Sequence, residues 1–461
     1  MTSMKINVVQ RAGKGYTHVT FIEKGVERFV EKGGATTLHI PSGKISKVTP
    51  RTLRTLVRGV VQSAKKYKLA NVALTLNYAE FTKCHEYGER WFFATVAENL
   101  ILADYEHTQY KSKKAKYTLE EVTLVVKNEK TVRDFVAYGT TLATHMNLCR
   151  DLGNTSGSDM TPQILASRTK EIFKGTKATV TILDEKKMTS LGMGGVLGIG
   201  KGSKYKPRFI IVEYKGGKKN EKPIVFVGKG VTFDMGGLQI KPGMSMYEMH
   251  MDMLGGASVI SAIRASVALK LKKNIIGLIP AVENGVGEDA IRPGDVLTTL
   301  AGTTVEVLHT DAEGRVILAD ALHYARKYDP ALVIDVATLT GASLIAVGQH
   351  ASVIMTKDRA LEDALRILGE ESGDYVVPLP LWDEYVQYTK GTHADITNVP
   401  NGDSRNGGTI NAGMFLAHFT KKMRWAHIDM APRMTSVPSD KLAKGATGEP
   451  TRLLVKIAEK L

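Results

Sequence analysis

A chain of 461 residues with 43% apolar positions can bury a large core, and its length suggests two to three domains. It has no run of about eighteen apolar residues to span a membrane, and its two cysteines, Cys84 and Cys149, stand far from any C-x-x-C spacing. That excludes a disulfide framework and a thiolate metal site and fits a reducing cytoplasm. The net charge of +15 is uneven: residues 1–150 carry 24 Lys and Arg against 13 Asp and Glu, and the remainder 38 against 34. The first region is therefore a candidate for weak nucleic-acid contact, with a solvated lysine-rich face as the simpler alternative.

The opening residues contain neither a continuous apolar block nor a small-residue cleavage site, so no secretory leader is expected. Strands are predicted at 6–9, 18–22, 71–76 and 122–126, and helices at 50–66 and 91–102, where apolar positions recur every three or four residues. Arg51, Arg54 and Arg58 recur at helical spacing and predict a basic exposed stripe on the first of these helices. Residues 111–116 are polar and read as an exposed loop. A helix over 132–149 leads into the breaker-rich segment 154–159, and Thr161-Pro162 is a good helix start.

Beyond it, 224–227 is a short apolar strand ending at Gly228-Lys229-Gly230, and 245–271 is helical in pattern. Residues 275–282 predict a central strand, 296–308 a hairpin around Ala301-Gly302, 314–328 a helix and 331–336 another strand. Strands alternating with helices make both regions α/β. The expected organisation is a smaller N-terminal α/β domain over 1–145, a connecting segment over 146–165 and a larger catalytic α/β domain over 166–461. In the catalytic domain, helices flank a central mixed sheet.

Charged residues sit among apolar residues and glycines in three segments: 228–242, 249–256 and 309–315. A buried carboxylate must be paired or bind a metal, because desolvating it alone is too costly. Asp311 and Glu313 are two apart and would point the same way in an extended segment. With Asp234 and Asp252 they supply enough oxygen donors for two divalent ions. A lone Asp-x-Glu is more often a helix cap, and Gly228-Lys229-Gly230 lacks the rest of a phosphate-binding loop. Asp295 is read as a turn carboxylate, and His250, His309 and His323 as structural, since no two share a four-residue helical spacing.

From about Arg150 to the C-terminus, ordered motifs resemble the leucyl aminopeptidase family, also called cytosol aminopeptidases. They are His309-Thr310-Asp311-Ala312-Glu313-Gly314-Arg315-Val316, the 228–242 segment, Asp252-Met253-Leu254-Gly255-Gly256, Arg292-Pro293-Gly294-Asp295-Val296 and Asp335 to Ala342. Ala394-Asp395-Ile396, Trp425 to Asp429 and Lys444 to Gly448 match as well. The resemblance implies a cytoplasmic metal-dependent aminopeptidase, a hydrolase that releases N-terminal Leu, Met and other apolar residues from peptides. It implies that Lys229, Asp234, Asp252 and Glu313 hold an exchangeable metal, and that Asp234, Asp311 (side chain and carbonyl) and Glu313 hold a second. The ions are expected to be Mn or Zn, with Co or Mg as alternatives in the exchangeable site.

By the same resemblance, a metal-bridging water or hydroxide attacks the peptide carbonyl, and Lys241 bonds the scissile carbonyl oxygen. Arg315 anchors a bicarbonate that serves as general base. Met249, Thr338, Leu339 and Gly341 line the substrate site, a methionine-lined pocket discriminating weakly among apolar residues. The family also implies a homohexamer, a dimer of trimers. Four positions depart from the family pattern: Met235 for serine, His309 for asparagine, Ile291 for an aromatic, and Ala431-Pro432 for Ala-Gly. None removes a ligand or a catalytic side chain.

Overall fold

The computed structural model describes residues 4–32, 34–113, 119–401 and 406–461. Of the segment 111–116, residues 111–113 are exposed and the rest lies outside the described residues. The chain folds into two compact units, Met1–Asn147 with Ser436–Lys444, and Leu148–Thr435 with Gly445–Leu461.

In the first unit a six-stranded sheet runs in the order Lys5–Val9, Glu121–Val125, Asn71–Thr75, Thr17–Ile22, Ala35–Pro41, Arg28–Lys32. All neighbours are parallel except the last pair. That pair has no counterpart among the strands predicted from sequence. Its residues, RFVEK and ATTLHIP, carry the charge and Thr content of a sheet edge and lack a clean apolar alternation. The helix Pro50–Lys66 starts where Thr49 and Thr52 form a reciprocal cap around Pro50, and it buries Leu53, Val57, Val60, Val61 and Ala64. The expected basic stripe is not there. Arg51 is exposed, but Arg54 and Arg58 are buried. Arg58 donates to Asn99 Oδ1 and to the Asp440 carbonyl, both at 2.8 Å, and the Arg54 guanidinium lies 5.3 Å from the Trp91 ring centroid. Long arginine stems cover apolar surface here, and their heads find partners instead of water.

The second unit is built on a nine-stranded mixed sheet. Its order is Val376–Pro378, Ser352–Met355, Trp425–Asp429, Leu332–Ala337, Ile224–Gly228, Asn274–Asn284, Arg208–Lys215, Ala178–Leu183, with Gly230–Asp234 pairing beside Asn274–Asn284. The four central strands are buried along their whole length, which is why Ile224–Gly228 and the 275–282 stretch of Asn274–Asn284 read as apolar runs. Helices Leu254–Ala268 and Glu313–Ala325 pack against these strands. The predicted hairpin forms, with Val296–Thr298 antiparallel to Thr304–Glu306 and Gly302 at φ 78° in the turn.

The helix expected over 245–271 is shorter. Short 3-10 turns occupy Gly243–Met246 and Met249–Met251, and the α-helix begins at Leu254. Tertiary partners take the backbone groups that an earlier start requires: the Asp252 carbonyl accepts from Thr338 Oγ1 (3.2 Å), and the Gly256 N–H donates to the Lys229 carbonyl (2.7 Å). No helix of the described residues is long and apolar enough to cross a membrane.

Candidate metal centre

Lys229 joins two strands, Ile224–Gly228 and Gly230–Asp234, and its N–H donates to the Val336 carbonyl at 3.0 Å. Its side chain passes Gly314, where a Cβ would lie 2.6 Å from Lys229 Cε, so the glycine after Glu313 is needed for the lysine to reach the site. Asp234 ends the second strand. Its Oδ1 accepts from the Gly236 N–H (2.9 Å) and from Asn284 Nδ2 (2.8 Å), leaving Oδ2 for the cluster. Asp252 follows the second 3-10 turn. Glu313 is the first residue of its helix, where the dipole favours a carboxylate.

Among the described residues, Asp234, Asp252 and Glu313 each bring one carboxylate oxygen within 4.8 Å of the others, all three buried. Asp311 is linked to them through Lys241, whose Nζ lies 2.8 Å from Asp234 Oδ2 and 2.6 Å from Asp311 Oδ1. Lys229 Nζ stands 2.8 Å from both Asp252 Oδ2 and Glu313 Oε1. Asp252 Oδ2, Asp311 Oδ1 and Glu313 Oε1 are buried oxygens whose close neighbours are these ammonium groups, with no backbone N–H or hydroxyl donor. Hard oxygen donors converging in one buried cluster fit divalent cations.

The electrostatics follow from this crowding. Burial, then the neighbouring charges of Asp234 and Glu313, push the Asp311 carboxyl up to about 7. Glu313 and Asp252 are also raised, first by burial. Burial works against the Lys229 ammonium, but Asp252, Glu313 and Asp234 outweigh it and hold its pKa above the ordinary lysine range. To donate a lone pair to a cation, Lys229 must give up that proton as the cation arrives. Lys241 is raised in the same way, burial opposing and Asp234 leading the carboxylates that prevail.

Of the remaining residues singled out in the sequence, Thr338 is tied directly to the cluster: its Oγ1 donates to Asp252 Oδ1 (2.6 Å), and its carbonyl accepts from Lys229 Nζ (3.1 Å). Arg315 donates to the Asn398 carbonyl (2.7 Å), while its buried Nε has no partner, and burial lowers its pKa to about 10. The Met249 carbonyl accepts from the Asp252 N–H at 3.4 Å, Leu339 N–H donates to Asp429 Oδ1 (3.1 Å), and Gly341 opens the helix Gly341–Val347. His309 Nδ1 accepts the Asp311 N–H at 3.2 Å, so it shapes the turn that presents Asp311.

Sequence reasoning missed several supports. Gln239 brackets Thr310, donating from its N–H to Thr310 Oγ1 (2.9 Å) and accepting the Thr310 N–H at Oε1 (2.7 Å). Asn398 accepts the N–H groups of Leu308 (2.9 Å) and His309 (3.3 Å). Asn284 holds Asp234. The available signal was a polar residue closing an apolar strand, but the apolar run stops at Val282, two residues before the strand does.

A model of the cytosol aminopeptidase family catalytic domain matches residues 147–455, and one of that family's N-terminal domain matches residues 38–114. A probable cytosol aminopeptidase of Nitrosococcus oceani is 41% identical over 418 residues, covering 90% of this chain and 82% of the relative. One from a Geobacter species is 39% identical over 420 residues, covering 90% and 83%. Among solved structures, the bottromycin maturation enzyme BotP in complex with Mn superposes with a TM-score of 0.85 at 30% identity, covering 96% of this chain and 98% of that one. With both domain models matched in order and relatives aligned over most of its length, the chain belongs to the cytosol aminopeptidase family, metal-dependent hydrolases that act on peptide N-termini.

Proposed function

We propose that this aminopeptidase holds two divalent ions, Mn or Zn, and releases Leu, Met and other apolar residues from peptides with a free N-terminus. The observation that carries the reading is the set of buried carboxylate oxygens that converge around Lys229 and Lys241. Lys229, Asp234, Asp252 and Glu313 would hold the exchangeable ion; Asp234, Asp311 and Glu313 would hold the other. The Mn in the BotP structure supports Mn as one occupant. The unpartnered Nε of Arg315 fits an anchored anion, proposed to be bicarbonate. When bound, the ions supply Lewis acidity and a lowered pKa for water, and the anion supplies a general base.

The chain's own residues then bind and orient. Lys241, charged at neutral pH, donates to the carbonyl oxygen of the scissile bond as negative charge grows there. The Leu339 carbonyl accepts from the substrate's amine, and Met249, Thr338 and Gly341 border the first side chain. Thr338 commits its hydroxyl to Asp252, so it offers that side chain its methyl. The catalytic domain is read as 166–461 with 146–165 as its approach, in a cytoplasmic homohexamer. Any nucleic-acid contact of the basic region is weak and directed at phosphates.

Hydrolysis of a panel of aminoacyl chromogenic amides, each with Mn, Zn, Co or Mg, tests the reading. Leu and Met amides should lead, and their N-acetyl forms should be inert. Equal cleavage of the acetylated forms would remove the free-amine requirement and the reading with it.

A further inference from the structure

Asn284 closes the strand Asn274–Asn284 and is almost fully buried. Its amide nitrogen donates to two acceptors, Asp234 Oδ1 at 2.8 Å and the Thr310 carbonyl at 3.1 Å. Both partners accept only, so chemistry fixes which end of the amide faces them. Its backbone carbonyl accepts the Met235 N–H at 3.1 Å. Asn284 thus grips the residue on each side of the Asp234–Met235 bond, and also the residue immediately before Asp311.

We propose that Asn284 is a positioning residue for the metal centre. Together with the Gly236 N–H it saturates Asp234 Oδ1 and so directs Oδ2 alone to the ions. By holding the Thr310 carbonyl it sets the separation between Asp234 and the Asp311–Glu313 turn. Lys241, between Asp234 Oδ2 and Asp311 Oδ1, and Thr310 Oγ1, donating to the Gly236 carbonyl, tie the same segments; Asn284 is the uncharged side chain among the described residues that donates to both the Asp234 carboxylate and the Thr310 carbonyl. An apolar residue here leaves Asp234 Oδ1 with the Gly236 N–H alone and the Thr310 carbonyl short of a donor. The inference rests on the two-ion reading above.

The test is calorimetric titration of Mn2+ into chelator-stripped wild-type protein and into Asn284→Ala and Asn284→Leu, with folding checked by circular dichroism. Both variants should bind about 10–100-fold more weakly, the usual loss when a partner of a metal-binding side chain is removed. Wild-type affinity and stoichiometry in either folded variant would overturn the proposal. So would a lowered unfolding midpoint in chelator with unchanged affinity, since that outcome marks a purely structural side chain. A wild-type protein that takes up no Mn2+ would strike the two-ion reading itself, which keeps the two failures distinct.

Discussion

Asp311 and Glu313 contribute differently to the same cluster. Glu313 lies inside the group of three buried carboxylates, whereas Asp311 reaches it through Lys241. The carboxylates around them are already assigned to the two ions, so Asp311→Ala and Glu313→Ala should each lose bound metal and nearly all activity. Elemental analysis decides this: wild-type metal content in both variants would refute the assignment. Lys241 is the opposite case, a cation that the carboxylates hold charged. Lys241→Ala should retain metal and lower kcat by roughly 10²–10³, the loss typical of one oxyanion donor. An unchanged kcat with a raised KM would mean that the lysine only binds substrate. Residue types and spacing made all of these side chains visible in the sequence, because a charge set among glycines and apolar residues is too costly to bury without a partner or a metal. Asn284, Gln239 and Asn398 were not visible. An uncharged amide looks the same in sequence whether it faces solvent or holds a carboxylate, and their roles depend on partners up to about ninety residues away.

Elements with one buried face or two were predicted well, and those shaped by tertiary partners were not. The buried strands Ile224–Gly228 and Leu332–Ala337 stood out, as did the helix Pro50–Lys66. The start of Leu254–Ala268 did not, since hydrogen bonds to Lys229 and Thr338 set it. Asp320 shows the same limit. It sits at 0% exposure between Ala319 and Ala321, where its two oxygens accept the N–H groups of Leu300 (2.7 Å) and Val196 (2.9 Å). Asp358 is an accessible test of element stability. It caps Arg359–Ser372 by accepting the Leu361 N–H at 3.0 Å and pairs with Arg424 Nε at 2.8 Å, and these bonds, the Arg424 bond foremost, hold its carboxyl below the usual range. A lowered carboxyl pKa stabilises the fold above its unfolded value and ceases to as pH falls through the folded one. Asp358→Ala should therefore cost about 0.5–2 kcal/mol at neutral pH, the usual range for a lost cap. The difference from wild type should shrink below about pH 4, near the unfolded carboxyl value. Denaturant melts at both pH values measure it, and a pH-independent difference would contradict the charge argument.

At the scale of the molecule, the charge surplus of residues 1–150 has lost one of its supports, because Arg54 and Arg58 are buried. What remains is scattered exposed lysine, including Lys66, Lys68, Lys83, Lys111 and Lys113. Any nucleic-acid contact such a surface makes should be weak, without sequence preference, and with log K falling linearly in log salt. Mobility shifts across roughly 50–300 mM salt check this, and tight sequence-selective retention at the upper end would make nucleic-acid regulation a principal function. The sequence by itself determined the α/β class, the catalytic family and the identity of the charged cluster. Each of these is written in local pattern: strand periods, glycine spacing, and carboxylates where solvation is impossible. Tertiary structure alone decided which lysine faces which carboxylate, that Asp234 has one oxygen to offer, that two arginines turn inward, and that Ser436–Lys444 folds with the N-terminal unit. Those outcomes are set by contacts between residues far apart in the chain, where packing and hydrogen-bond partners, not local composition, carry the energy.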